Sequence, residues 1–212
     1  MRDKILVYRI EPKALNTDFT NLHGVTRINQ KIRENPRNPC LINFCYVPYI
    51  DNPEEEENMF KKMRRNEKSL PESEMMEILN SAEYGVLSTI GENGYPYGVP
   101  VNFLFHDNII YFHCAKEGHK LDNIAFCNKV SFSVVKDVSV MAESFTTKFR
   151  SVILFGKASE VHGDIKQEVF VKFMEKFSKD YMEAAIPYIR REEHSARLYQ
   201  VEVEFMTAKG KK

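Results

Sequence analysis

Along this chain, apolar and polar residues alternate in some stretches and recur at helical spacing in others. Tyr84–Ile90 reads as a strand, and Gly91-Glu-Asn-Gly94 supplies the residues that accept a tight hairpin turn. Tyr95–Phe105 is the return strand, in which Val99, Val101, Phe103 and Phe105 alternate with the other positions. Pro96 and Pro100 remove backbone donors from it, which predicts that it cannot be laddered fully on both sides. His106-Asp-Asn108 turns the chain into a third strand, Ile109–Cys114. In Lys129–Lys136, Val130, Phe132 and Val134 lie on one side and Ser131 and Ser133 on the other. Val138–Thr147 fits either a continuation of the sheet or a loop. Phe149–Val161 is a long strand with Gly156 as a bend or bulge. In the last strand Leu198, Gln200, Glu202 and Glu204 alternate with Tyr199, Val201, Val203 and Phe205.

Helical spacing appears between these strands. Ser69-Leu-Pro-Glu72 has the form of a capping box, with Ser69 as N-cap and Glu72 three residues on. Met75, Met76, Ile78 and Leu79 then give the helix an apolar side. Leu121, Ile124, Ala125 and Cys127 mark a second helix, ending near Asn128. Asp164-Ile-Lys-Gln167 caps a third, which runs to about Lys179 with Val169, Phe173, Met174 and Phe177 inward. A further helical piece covers roughly Tyr181–Glu193, interrupted at Pro187. About six short, turn-punctuated strands with a few helices predict a mainly β fold, a small antiparallel β-barrel.

Residues 1–58 follow no such pattern. Ile5-Leu-Val-Tyr8 fits a short strand, but the rest is rich in Asn, Pro and Arg and ends in Asp51-Asn-Pro-Glu-Glu-Glu-Glu57. Leu41–Ile50 is apolar without a periodic face. One reading is a loosely ordered N-terminal extension. The other is an overlong gene model: a glutamate run is what a purine-rich ribosome-binding sequence would encode, placing the start at Met59 or Met63. Residues 59–212 form the domain proper.

Composition narrows the classes. The 212 residues carry 30 Lys+Arg against 30 Asp+Glu, a balance that argues against a general nucleic-acid or acidic-membrane binder. No apolar run has the length of a membrane span, and no signal-peptide pattern opens the chain. The four cysteines form no CxxC pair and no zinc spacing, which predicts reduced thiols, no metal site and a cytoplasmic location.

The chemistry concentrates in Tyr111-Phe-His-Cys-Ala-Lys-Glu-Gly-His-Lys-Leu-Asp122. A strand that ends at a glycine-bearing turn and opens a helix presents free amides and a favourable dipole to an anion. Lys116 and Lys120 add full positive charges. The plain alternative is a strand-to-helix connection with solvated lysines. His113 is likewise either a functional imidazole or a satisfied core histidine, while Cys114 alternates with it and faces the other way. Arg64 and Arg65 are assigned no role.

Six segments, in this order, carry a family likeness: Met63-Arg-Arg65, Gly85-Val-Leu-Ser-Thr89, Gly94-Tyr-Pro-Tyr-Gly-Val-Pro-Val-Asn102, Ile110-Tyr-Phe-His-Cys-Ala115, Gly118-His-Lys-Leu-Asp122 and Arg150-Ser-Val-Ile-Leu-Phe-Gly156. From residue 63 onward the chain resembles the FMN-binding split-barrel superfamily, and within it the 5-nitroimidazole-resistance (Nim-type), pyridoxamine 5′-phosphate oxidase-like proteins. The resemblance implies a six-stranded split barrel and a homodimer with FMN at its interface. It implies that Val99, Pro100, Val101 and Asn102 lie beside the isoalloxazine ring, with Thr89 near the flavin and His113 facing flavin or substrate. It implies that Ala115, His119 and Lys120 hold the ribityl phosphate, with Arg150 and Ser151 as a second contact. The expected activity is a flavin-dependent oxidoreductase that passes electrons to nitroimidazoles or another small-molecule acceptor. His113 is the candidate proton or hydrogen-bond donor. NAD(P)H, if the donor, would bind transiently, because no GxGxxG fingerprint is present. Vitamin B6 oxidation is not expected, since Arg197–Met206 reads as a plain strand rather than an arginine-rich substrate segment. The alternative class is a binding protein that holds FMN as sensor or carrier, or haem through an axial His119 or His194. A flavin-free structural barrel is the third reading.

Overall fold

The computed structural model describes residues 59–211. The N-terminal extension and the gene-model reading of residues 1–58 lie outside the described residues. A short 3-10 turn at Asn66–Lys68 leads to helix α1 (Glu72–Ser81). Strands β1 (Tyr84–Ile90), β2 (Pro96–Asn102), β3 (Leu104–His106) and β4 (Ile109–Cys114) follow, then helix α2 (His119–Phe126). Strand β5 (Lys129–Met141) and strand β6 (Thr146–Val161) form a long hairpin across a 3-10 turn at Ala142–Ser144. Helices α3 (Asp164–Phe177) and α4 (Met182–Glu192) precede the last strand, β7 (Arg197–Lys211). All strands join one antiparallel sheet in the order β2-β1-β5-β6-β7-β4-β3, and β2 comes close to β4, so the sheet curls into a split barrel.

The period-two reading places the core correctly. Leu87, Phe132, Val134, Val152, Leu154, Phe112 and Val201 fill the barrel with Phe103, and Ile78 and Leu79 of α1 close one end. A second cluster packs Tyr111, Leu104 and Leu198 beneath Val169, Phe170 and Phe173 of α3 and Ile189 of α4. As the prolines predict, β2 is an edge strand, paired with β1 alone. Val138–Thr147 is mostly strand: β5 continues through Met141, with a register shift between Lys136 and Ser139.

Several local expectations are corrected. The sheet has seven strands rather than six, because the return strand breaks at Phe103. There the Phe103 carbonyl accepts a hydrogen bond from Lys176 Nζ at 3.0 Å instead of joining the ladder. Burial of that ammonium lowers its pKa to about 8, and the Glu83 charge opposes the shift. Ser69 is not the N-cap of α1. It ends the 3-10 turn and bridges to Lys209, Leu70 N–H bonds Ala208 O, and extended Pro71 takes the cap position. Asp164 is the first helical residue of α3 and Gly163 its cap. Pro187 does not interrupt α4, which runs continuously through it at its midpoint.

Gly156 lies at a bulge, as the sequence suggested, although the extra residue is Glu204 on the facing strand β7. The β6–β7 register shifts between Phe155 and Gly156, and a Cβ there would lie 2.1 Å from the Glu202 carbonyl oxygen. Backbone cannot yield as a side-chain tip can, so Gly156→Ala is expected to cost about 1–3 kcal/mol. A lowered thermal midpoint would show it; an unchanged one would mean that β7 shifts freely at this point.

Candidate functional site

The predicted anion-binding stretch has the geometry expected of it. Strand β4 ends at Cys114, and Ala115–Gly118 form an exposed loop leading into α2. Gly118 is the N-cap, with φ 137°, a conformation open to glycine. The intrahelical ladder begins with Leu121 N–H donating to Gly118 O at 2.8 Å. The amides of His119 and Lys120 therefore precede the ladder, and Gly118 has no side chain to cap them. Lys120 is half-buried and His119 exposed in the same turn.

Two contacts fix this helix end to the hairpin β1–β2. The His119 ring packs on Tyr97 of β2, centroids 4.3 Å apart. Deeper in, the buried Asn123 side chain donates to Thr89 Oγ1 at 2.9 Å, and Thr89 Oγ1 donates to Tyr97 O at 3.3 Å. Thr89 continues the inward row of Gly85 and Leu87, so its hydroxyl is buried and needs partners. The chain supplies one from a helix and one from a strand. A shallow cleft lined by Gly91, Asn93, His119, Asp122, Asn123 and Phe126 opens alongside.

Val99, Pro100, Val101 and Asn102 lie along β2, with Val99 and Val101 half-buried and Pro100 and Asn102 exposed. Asn102 Nδ2 donates to Glu83 O at 3.0 Å. His113 stands on the face of β4 opposite Cys114, as the alternation requires. Its ring stacks on Phe173 of α3, centroids 5.2 Å apart, and keeps an open edge. Withdrawal from water against the aromatic side chains lowers its pKa below the usual histidine value, and the Lys120 charge pushes the same way. His113 is therefore neutral at pH 7, able to donate one hydrogen bond and accept another. Burial raises the Cys114 thiol pKa, which keeps it protonated and unreactive.

Arg150 and Ser151 stand apart from this cluster. Ser88 of β1 pairs with Ser131 of β5, whereas Arg150 pairs with Lys136, five residues further along β5. At about 3.3 Å per residue this is roughly 17 Å along the sheet. Arg150 points to the α1 end of the barrel, where its guanidinium pairs with Glu77 and, through Nε at 2.6 Å, with Asp137. The Arg150 hydrogen bond is the main reason the Glu77 carboxyl stays below its usual pKa. Ser151 lies on the outward face, its Oγ 3.4 Å from Lys209 O. Thr89 and His119 thus both meet Tyr97 of β2, Lys120 follows His119 in the same turn and its charge acts on His113, whereas Arg150 and Ser151 are held elsewhere.

Sequence reasoning did not find Asn123. An asparagine inside the apolar pattern Leu121–Ile124 is the signal, because a buried amide must be bonded. Arg197 was read as part of a plain strand. It is in fact paired with Glu160 and reaches the loop at Lys116.

With this geometry, residues 71–210 match the family model described as pyridoxamine 5′-phosphate oxidase. No curated protein sequence is close enough to match. Solved structures share the fold. A protein from Bacteroides thetaiotaomicron, given as a candidate 5-nitroimidazole antibiotic resistance protein, is 21% identical with a TM-score of 0.54, covering 66% of this chain and 84% of its own. The flavocytochrome Anf3 from Azotobacter vinelandii is 18% identical with a TM-score of 0.61, covering 71% and 72%. The FAD and haem binding protein from Mycobacterium smegmatis is 15% identical with a TM-score of 0.60, covering 68% and 73%. At these identities the likeness establishes the fold. Among the described residues no helix is long and apolar enough to cross a membrane.

Two predictions follow from the site. Asn123→Leu leaves the Thr89 hydroxyl without its donor and is expected to cost about 1–3 kcal/mol; unchanged stability in denaturant unfolding would remove the pair's structural role. His113 should titrate below 6.5 by NMR, and Lys120→Gln should raise its midpoint. Because the folded pKa is depressed, the neutral ring's contribution to stability is full above about 6.5 and is lost as pH falls through the folded value. A midpoint above 6.5 would contradict the stacked, desolvated placement.

Proposed function

This chain belongs to the pyridoxamine 5′-phosphate oxidase family, and on that premise we propose that it binds FMN and acts as a flavin-dependent oxidoreductase on small electrophiles such as nitroimidazoles. One observation carries the reading. The uncapped, lysine-bearing start of α2 is tied to the proline-bearing edge strand β2 through Asn123, Thr89 and Tyr97. A ligand with an anionic end and a flat ring suits that pairing. The phosphate meets the amides of His119 and Lys120 and the Lys120 ammonium, a charge-assisted contact. Ala115 leaves room beside it. The ring lies along Val99-Pro100-Val101-Asn102, where proline leaves backbone unladdered and the valines offer apolar contact.

Bound FMN supplies the transfer of hydride or single electrons between donor and acceptor. The chain's residues bind and orient. Thr89 and Asn123 hold β1, β2 and α2 in register. His113, neutral at pH 7, offers a hydrogen bond to an acceptor near Lys120. NAD(P)H would serve as a transient donor over the exposed ring face. Vitamin B6 oxidation is not part of this proposal, because residues 197–206 lie in strand β7 rather than in an arginine-rich substrate segment, and Arg197 is already paired with Glu160.

The reading includes a homodimer. Tyr84, Val135, Ile153 and Phe155 expose 61%, 55%, 45% and 39% of their surface on β1, β5 and β6, an apolar outward face that a second copy would cover. Arg150 joins a phosphate only by giving up Glu77 or Asp137, so it is the less ready contact.

The visible spectrum of the purified full-length protein tests the reading, followed by release of any chromophore. Flavin absorbance with FMN released, or uptake of added FMN weakened roughly tenfold by Lys120→Gln, is the expected result. Reductant plus a nitroaromatic or quinone should then be consumed. A protein that takes up no flavin would sink the proposal, and a Soret band on haem titration, lost on replacing His119 or His194, would transfer the site to haem.

A further inference from the structure

The loop Ala115–Gly118 decides whether the first amides of α2 face a ligand, yet all four of its residues are exposed. Its own burial therefore does little to hold it. A hydrogen bond reaches it from the start of β7, where Arg197 Nη1 donates to the Lys116 carbonyl at 3.3 Å. The guanidinium is itself fixed. Nε donates to Glu160 Oε1 at 2.8 Å, Nη2 donates to Glu160 Oε2, and its flat face lies over the Tyr199 ring at 5.4 Å from the centroid. A planar fork held bidentate on one side cannot turn, so its remaining donor points in a set direction. Glu160 stands on β6 and Arg197 on β7, adjacent in the sheet, and Arg197 is also the register partner of Cys114 on β4. The loop is thus referenced to three strands through one side chain.

We propose that the Arg197–Glu160 pair is a latch that positions the Ala115–Gly118 loop, so that the site takes the phosphorylated flavin in preference to the unphosphorylated one. The proposal rests on the flavin reading of the same site and makes Arg197 a positioning residue. It does not make Arg197 an anion ligand, because the Glu160 carboxylate neutralises its charge at contact. The distinction is testable, since the two roles predict different signs. If Arg197 and Glu160 acted only through charge, removing the carboxylate would tighten FMN and removing the guanidinium would loosen it. If they act as a latch, either removal frees the loop and weakens FMN.

FMN and riboflavin titrations, followed by flavin fluorescence, should be run on full-length wild type, Arg197→Gln and Glu160→Gln. Both variants are expected to lose roughly tenfold in FMN affinity while riboflavin stays within about twofold of wild type. Opposite signs for the two variants, an equal loss for both flavins, or no loss in folded protein would overturn the latch. Arg197→Lys keeps the charge but not the fork, and covers the case in which a neutral variant fails to fold. Its amides at 116–120 should exchange hydrogen faster than those of wild type without flavin, and unchanged exchange would overturn the proposal. A wild type that binds neither flavin would overturn the flavin reading itself, and with it the latch's selectivity, whereas a wild type that binds FMN with insensitive variants would sink the latch alone.

Discussion

The two halves of the sheet meet in a single ladder, β6 against β7. On one side of it lie β5, β1 and β2, and on the other β4 and β3. Everything the site needs is distributed across that seam: α2 and its loop hang from β4, while the edge strand hangs from β1. The seam holds Gly156 so close to the Glu202 carbonyl that no side chain fits, and there the register shifts by one residue. That shift lets two long strands stay paired from Phe149–Lys211 to Val161–Leu198 while the sheet curls. Without the curl β2 would not come near β4, and the start of α2 would have no hairpin to face.

Polar contacts then set the site on this frame, the innermost of them buried and the others nearer the surface. Asn123 and Thr89 are almost fully buried and bond each other, so helix and hairpin move as a unit. The cations divide by environment. Lys120 stands in the first turn of the helix, adding its charge to the dipole's. Arg150 and Arg197 are each paired with carboxylates, which turns them into struts. Lys176 is held against a carbonyl and an aromatic ring and carries its proton less firmly. The Lys120 charge thus lies beside uncapped amides.

Much of the architecture was legible in the chain. Alternation in Lys129–Lys136 put Val130, Phe132 and Val134 on one side, and that is the buried side. Proline in Tyr95–Phe105 announced an edge, and Gly118 before His119 and Lys120 announced a helix start. Errors fell where a distant group overrode a local signal. Ser69 had the local pattern of an N-cap, but β7 engages Ser69 and Leu70 as strand-like backbone. Phe103 had the pattern of mid-strand, but Lys176 of α3 takes its carbonyl. Pro187 lacks a donor, yet Ala185 and Ile189 on either side of it are buried, Ile189 against α3, and the helix runs through.

What the sequence determined by itself was the set of faces and ends: which residues point inward, which strand lies at the edge, and where a helix begins with cations and no cap. These follow from backbone periodicity and from the chemistry of glycine and proline, which act within a few residues. Tertiary structure alone decided the partners. It joined Asn123 to Thr89, Arg197 to Glu160 and to Lys116, and Arg150 to Glu77 rather than to the cluster around Lys120. Each pair spans more than thirty residues, and no local pattern encodes which of many carboxylates or hydroxyls will arrive beside a given side chain once the sheet has curled.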